Sequence, residues 1–298
     1  MKKPTADLML VTTMCLWALN FTASKYILTH GIAPLAYAGP RYLLAAIAFA
    51  LLAYWRDGTL RIDGRDLLVL GGASVVLFFN QIGFIYSLHF TTAATAALVF
   101  GTLPIFTTAI AAMAGIERPT RRFLVAAAIS FAGVALVATG SNGALSANIK
   151  GDALALLGAA TWAGYSVIAA PAMMRYSPLR TSAYVVGGTS ILLLVVGAGQ
   201  IQAESYPGSW RVWAAFTFAI FGPLVITNVL WFTAIDRVGP SRASLFANLQ
   251  FFLAALFGLM LLSESITVVQ VIGGIAIAAA IILSRRRSVP RPVPQPVE

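Results

Sequence analysis

Nine polar or aromatic residues stand deep within long apolar runs of this sequence: Trp17, Asn20, Asn80, Gln81, Trp162, Tyr165, Asn228, Asn248 and Gln250. An amide accepts from an ammonium group and donates to a carboxylate, while aromatic rings cover an apolar side chain. Together these groups suit a zwitterionic amino acid. A hydrogen bond between neighbouring helices would account equally for Asn20, Asn80, Asn228 and Asn248. Trp17 and Trp162 lie deeper than the interfacial belt where tryptophan usually concentrates, so they are read as cavity lining, with packing as the alternative. Tyr165, Tyr86, Phe79 and Trp231 are more simply read as packing or lipid contacts.

Two basic residues fall inside the apolar runs. Lys25 is near one end of its run and can extend its ammonium to the interface. Arg41 is seven residues inside its run and must pair with a carbonyl, a polar side chain or a substrate carboxylate. Structural pairing is the preferred reading of the three. No Asp or Glu stands in the middle of a run, which argues against cation/proton exchange centred on a carboxylate. Glu117 and Glu264 sit at run ends and are expected to meet basic neighbours or lipid headgroups. Pro104 and Pro223 interrupt two runs and are candidate hinges, since proline withholds a backbone bond and kinks a helix. The glycine pairs Gly71-Gly72, Gly187-Gly188 and Gly273-Gly274 are expected to let helices approach closely. They form no phosphate-binding pattern, and His30 and His89 belong to no metal-protease or nucleophile motif. No metal, cofactor or catalytic constellation is therefore expected, which leaves an intramembrane enzyme as a distant alternative.

The elements that hold these residues follow from composition. Of 298 residues 59% are hydrophobic and 10% charged, against about 25% charged in soluble domains. About 20 apolar residues cross the bilayer as a helix, and the chain offers ten such runs. They span approximately Ala6–Thr29, Pro34–Trp55, Asp66–Leu88, Thr91–Gly115, Arg122–Thr139, Asp152–Met174, Pro178–Gly199, Val212–Ile235, Pro240–Leu262 and Ile266–Ser284. They are continuous, not the alternating segments of a barrel, and a helix satisfies its own backbone in lipid. The expected fold is an all-α membrane protein of ten transmembrane helices. The first run is too long for a signal peptide and stays as a span. Cys15, alone in that span, reads as a small apolar residue.

The stretch Ser87 to Thr120 recurs after 147 residues, with Ala96, Leu98, Met113, Glu117 and Thr120 matched by Ala243, Leu245, Met260, Glu264 and Thr267. Asp7 and Trp17 similarly precede Asp152 and Trp162 by 145. Five spans per copy turn the second copy upside down. Residues 1–144 and 145–287 are thus read as inverted five-helix repeats around a central cavity, the architecture of many secondary transporters, and 288–298 as a disordered tail. If the N-terminus is cytoplasmic, inner segments hold 16 basic residues and outer segments only Lys150 and Arg211. That bias places both termini in the cytoplasm. It also assigns the net charge of +10 to topology and lipid contact, with no nucleic acid and no partner protein inferred.

Further residues carry a family likeness: Leu16-Trp17, Arg41 after Pro34, Leu103-Pro104, Glu117 with Thr120, Gly133, Thr161-Trp162, and Glu264 with Thr267. In this order across ten spans the chain resembles the drug/metabolite transporter superfamily, specifically its EamA-type permeases, a group that includes the YddG-like amino-acid exporters. The resemblance implies a ten-helix bundle exporting small metabolites, commonly amino acids, across a bacterial inner membrane. Two departures stand out. Ala18 and Ala163 replace a frequent glycine, and Gln250-Phe251 replaces a common Glu-Pro. A sugar-phosphate or nucleotide-sugar exchanger of the same superfamily is the runner-up. Phosphates would call for several cations at the cavity, and only Lys25 and Arg41 are available.

Overall fold

The computed structural model describes residues 3–90, 96, 99–116, 118–139, 148–206, 208–262 and 267–284. Among these there are helices and turns but no strand. Glu117, Glu264 and the tail 288–298 lie outside the described residues, as do the side chains of Lys25 and His89.

Ten helical spans follow one another. They are α1 (Lys3–Thr29), α2 (Pro34–Asp57), α3 (Gly64–Phe90), α4 (Leu103–Met113), α5 (Arg121–Thr139), α6 (Ile149–Arg175), α7 (Pro178–Ala203), α8 (Trp210–Val238), α9 (Pro240–Ala247 and Leu249–Leu262) and α10 (Val268–Leu283). Six of them are long and apolar enough to cross a bilayer, and α1, α4 and α10 carry shorter apolar stretches. Large apolar side chains such as Leu68, Ile191, Val195 and Ile275 are more than 60% exposed on the outside of the bundle. In a membrane protein that surface faces lipid, so the solvent itself holds the belt in place. The chain is a multi-pass membrane protein.

Helix ends follow local chemistry. Asn148 and Ser177 cap α6 and α7 by accepting backbone N–H bonds, and Thr267 with Gln270 forms a reciprocal cap on α10. Gly58 ends α2 with φ of 68°, a left-handed conformation that costs other residues a clash. The amides of Ala33 and Leu35, where α2 begins, donate to Glu204 Oε2 (2.6 Å) and Gln200 Oε1 (2.8 Å) at the end of α7. One repeat thus satisfies the helix terminus of the other.

The fourth span departs from the uninterrupted run expected. The chain turns at Gly101 and Thr102, and α4 begins at Leu103 with Pro104 in its first turn. A proline is well accommodated there because the first-turn N–H has no helical acceptor. Pro223, in contrast, sits within α8, in a π-helical turn over Phe221–Ile226.

Packing follows the inverted repeat. The helices α2 and α7, equivalent in the two copies, lie along each other, as do α5 and α10, and α3 packs on α6 while α1 packs on α8. Equivalent residues of the two repeats meet at the centre. Trp17 and Trp162 stack edge to face with centroids 5.0 Å apart. Asn248 Nδ2 donates to the carbonyl of Gly101, its counterpart 147 residues earlier (3.3 Å), and to Ser130 Oγ (2.9 Å). A Cβ on Gly133 would sit 2.7 Å from Gly273 O, and one on Gly273 would sit 2.6 Å from Gly133 O. The α5–α10 crossing therefore depends on two glycines, one from each copy. Gly188 likewise abuts Ser74. Gly71 and Gly72 do not fit the expectation of close packing, since nothing lies within 4 Å of either position.

Candidate functional site

A cavity of about 100 Å³ lies where the repeats meet, and by this measure one water needs roughly 10–15 Å³, so it has room for several. Seven of the nine mid-span residues line it: Trp17, Asn20, Asn80, Gln81, Trp162, Asn228 and Gln250. Arg41 and Pro223 stand in the same wall. Tyr165 and Asn248 do not line it. Tyr165 is fully buried behind it, with its hydroxyl donating to Asn228 Oδ1 (3.1 Å) and its ring against Trp162. Asn248 is committed to Gly101 and Ser130. Pro104 also stands outside the wall, one residue after Leu103, which lines it. Lys25 belongs to α1.

The aromatic side of the cavity is held by the irregular turn in α8. There the Thr227 N–H reaches back to Gly222 O instead of the α-helical acceptor Pro223 O. The Pro223 carbonyl accepts from Trp17 Nε1 (3.0 Å) and from the Thr227 hydroxyl, which itself accepts from Trp17 Nε1 (2.9 Å). Trp231, buried behind the pair, lies 5.1 Å from Trp17 and 6.3 Å from Trp162 between ring centroids. Trp17 is thereby fixed at both nitrogen and ring. Trp162 lines the cavity, and its indole makes no hydrogen bond to another described residue.

The polar side centres on Arg41, which is 4% exposed. Its Nη1 donates to Tyr37 Oη (2.7 Å) and its Nη2 to Gln81 Oε1 (3.2 Å). With Tyr37 accepting from the guanidinium, its own hydrogen points to Ser24 Oγ (2.9 Å), and Ser24 in turn donates to Asn20 Oδ1 (3.4 Å). On the other side Gln81 Nε2 donates to Asn80 Oδ1 (2.9 Å), and Asn80 Nδ2 to the carbonyl of Gly158 in α6 (2.9 Å). Both chains of donors run away from the cation. They link α1, α2, α3 and α6 and so join the repeats. Gln250 and Asn20 Nδ2 line the cavity and make no hydrogen bond to another described residue.

The wall also contains Tyr42, Phe84, Phe100, Leu103, Leu224 and Ala247, none of them anticipated, and Tyr37 stands behind it as a partner of Arg41. Several were within reach of helical spacing. Tyr37 precedes Arg41 by four, Phe84 follows Asn80 by four, Leu224 precedes Asn228 by four and Ala247 precedes Gln250 by three. Positions three or four apart share a helix face.

Comparison with known proteins gives a consistent picture over nearly the whole chain. The model of the EamA-like transporter family matches twice, over residues 4–139 and 149–286. An Archaeoglobus fulgidus protein called an uncharacterized transporter is 26% identical over 286 residues, covering 93% of this chain and 96% of that protein. The Bacillus subtilis uncharacterized transporter YyaM is 25% identical, covering 88% of each chain. The Escherichia coli K12 uncharacterized inner membrane transporter YedA is 28% identical over 281 residues, covering 89% of this chain and 86% of its own. One solved crystal structure superposes with a TM-score of 0.74 over 95% of this chain and 97% of its own, at 18% identity, which speaks to fold.

Proposed function

The chain belongs to the EamA-like transporter family, and from that premise we propose that it exports amino acids, aromatic and neutral ones foremost, or related small metabolites across a bacterial inner membrane. Alternating access is the mechanism. The observation that carries the reading is the composition of the central cavity, whose wall combines the Trp17 and Trp162 rings with the amides of Asn20 and Gln250 and one guanidinium, Arg41. Rings cover an apolar side chain, while amides and guanidinium address the ammonium and carboxylate of an amino acid.

In this mechanism the halves rock about the residues that meet between them, and the cavity faces each side in turn. The substrate enters from the cytoplasm, lies against the tryptophan pair and leaves when the helices close behind it. Pro223 supplies the bend in α8, because its π-helical turn already lacks regular α-helical bonding. A sugar-phosphate exchanger fits less well, since Arg41 is the one cation in the wall among the described residues.

Counterflow of radiolabelled amino acids in proteoliposomes tests this. Saturable exchange of an aromatic or aliphatic amino acid is expected, with Trp17→Ala and Trp162→Ala each weakening it. Exchange of sugar phosphate without exchange of any amino acid would sink the reading.

A further inference from the structure

Arg41 carries its charge in the membrane without a carboxylate. Its hydrogen-bond acceptors Tyr37 and Gln81 are neutral, and its Nε has no partner among the described residues. The tyrosine rings beside it, Tyr37 at 4.8 Å and Tyr42 at 5.4 Å from the guanidinium carbon, add a cation–π attraction but no negative charge. The ion pairs of the described residues all lie elsewhere, joining Arg175, Arg180 and Arg242 to Asp63, Asp66, Asp57 and Asp7. A buried cation with neutral neighbours is costly unless a counter-charge is brought to it.

The geometry points to a recognition site for the substrate's carboxylate, formed by Arg41 at the cavity wall. Its planar fork matches a carboxylate in two parallel bonds. On the ammonium side the described wall offers only neutral amides and rings. Recognition is thus asymmetric, with the carboxylate carrying affinity and the ammonium adding little. A carboxylate lacking the amine therefore binds more tightly than an amine lacking the carboxylate. This deepens the amino-acid reading and rests on the same cavity.

Phenylalanine, 3-phenylpropanoate and phenethylamine separate the two charges on one scaffold. Thermal stabilisation of the purified protein by each compound reads binding without requiring transport. We expect phenylalanine and 3-phenylpropanoate to bind at least about tenfold more tightly than phenethylamine, as a charge-assisted bidentate contact implies. Arg41→Gln should shrink that preference to less than about threefold, and Arg41→Lys should retain part of it. Equal binding of phenethylamine and 3-phenylpropanoate by the wild type would overturn the assignment, as would no binding of any of the three or an undiminished preference in Arg41→Gln. The wild-type series does not depend on the folding of a variant. Carboxylate-selective binding without amino-acid counterflow would contradict the export reading and leave the Arg41 site standing.

Discussion

Pro40 interrupts α2 one residue before Arg41, and the bond it withholds from the Ala36 carbonyl is supplied by Tyr206 Oη (3.2 Å) from the segment between α7 and α8. Tyr206→Phe should lower stability at neutral pH by about 0.5–1 kcal/mol, the usual net value of one hydrogen bond, measured by thermal unfolding in detergent. Burial, and after it the negative charge of Glu204, push the Tyr206 phenol above its ordinary range. A raised folded value means that the neutral form is the stabilising one. Its contribution is full below a tyrosine's ordinary pKa of about 10 and disappears as pH rises through the raised value. The stability gap between wild type and Tyr206→Phe should therefore narrow in alkali, and a gap independent of pH would contradict the assignment. At the cavity, Trp17→Phe keeps a ring but loses both bonds of Nε1. It should weaken substrate binding less than Trp17→Ala does, as the KM of counterflow would report.

At the scale of helices, the tightest constraint is the α5–α10 crossing. Gly133→Ala places a Cβ against the Gly273 carbonyl and 2.8 Å from Ile277 Cγ1, and backbone cannot retreat as a flexible side chain can. A loss of about 1–3 kcal/mol is expected, read as a fall in melting temperature. Gly71→Ala is the control, because that glycine stands in α3 with nothing within 4 Å, and alanine there should be neutral or stabilising. Pro223→Ala should regularise α8 and slow counterflow more than it changes binding, if the π-helical turn is the moving part. The existence and order of the helices were legible in the sequence, because twenty apolar residues between charged loops leave few alternatives in lipid. Their irregularities were only half legible. Pro223 announced a break in α8, but no residue type forecast a π turn that delivers the Pro223 carbonyl to Trp17. Nor could Gly71-Gly72 be told from Gly273-Gly274, since facing a neighbour depends on helix rotation, which uniformly apolar segments barely encode.

Across the whole molecule, the repeat made the centre of the fold readable. Trp17 and Trp162 were notable as equivalent residues, and they touch. Depth within a span picked out seven residues of the cavity wall, yet it also picked out Tyr165 and Asn248, which serve one layer behind the wall or at the seam between repeats. Depth measures position along the membrane normal; the wall is defined by rotation as well. The distribution of basic residues predicts that both termini are cytoplasmic. Alkaline phosphatase fused after Ser209, in the segment before α8, should be active, and the same enzyme fused after Gly239 should be inactive; the reverse pattern would invert the topology. The central claim is that the cavity between the repeats carries amino acids. Its most direct test is counterflow of labelled phenylalanine in proteoliposomes holding wild type, Trp17→Ala or Trp162→Ala. Saturable exchange that both substitutions weaken is the predicted result, and exchange that neither substitution alters would contradict the account.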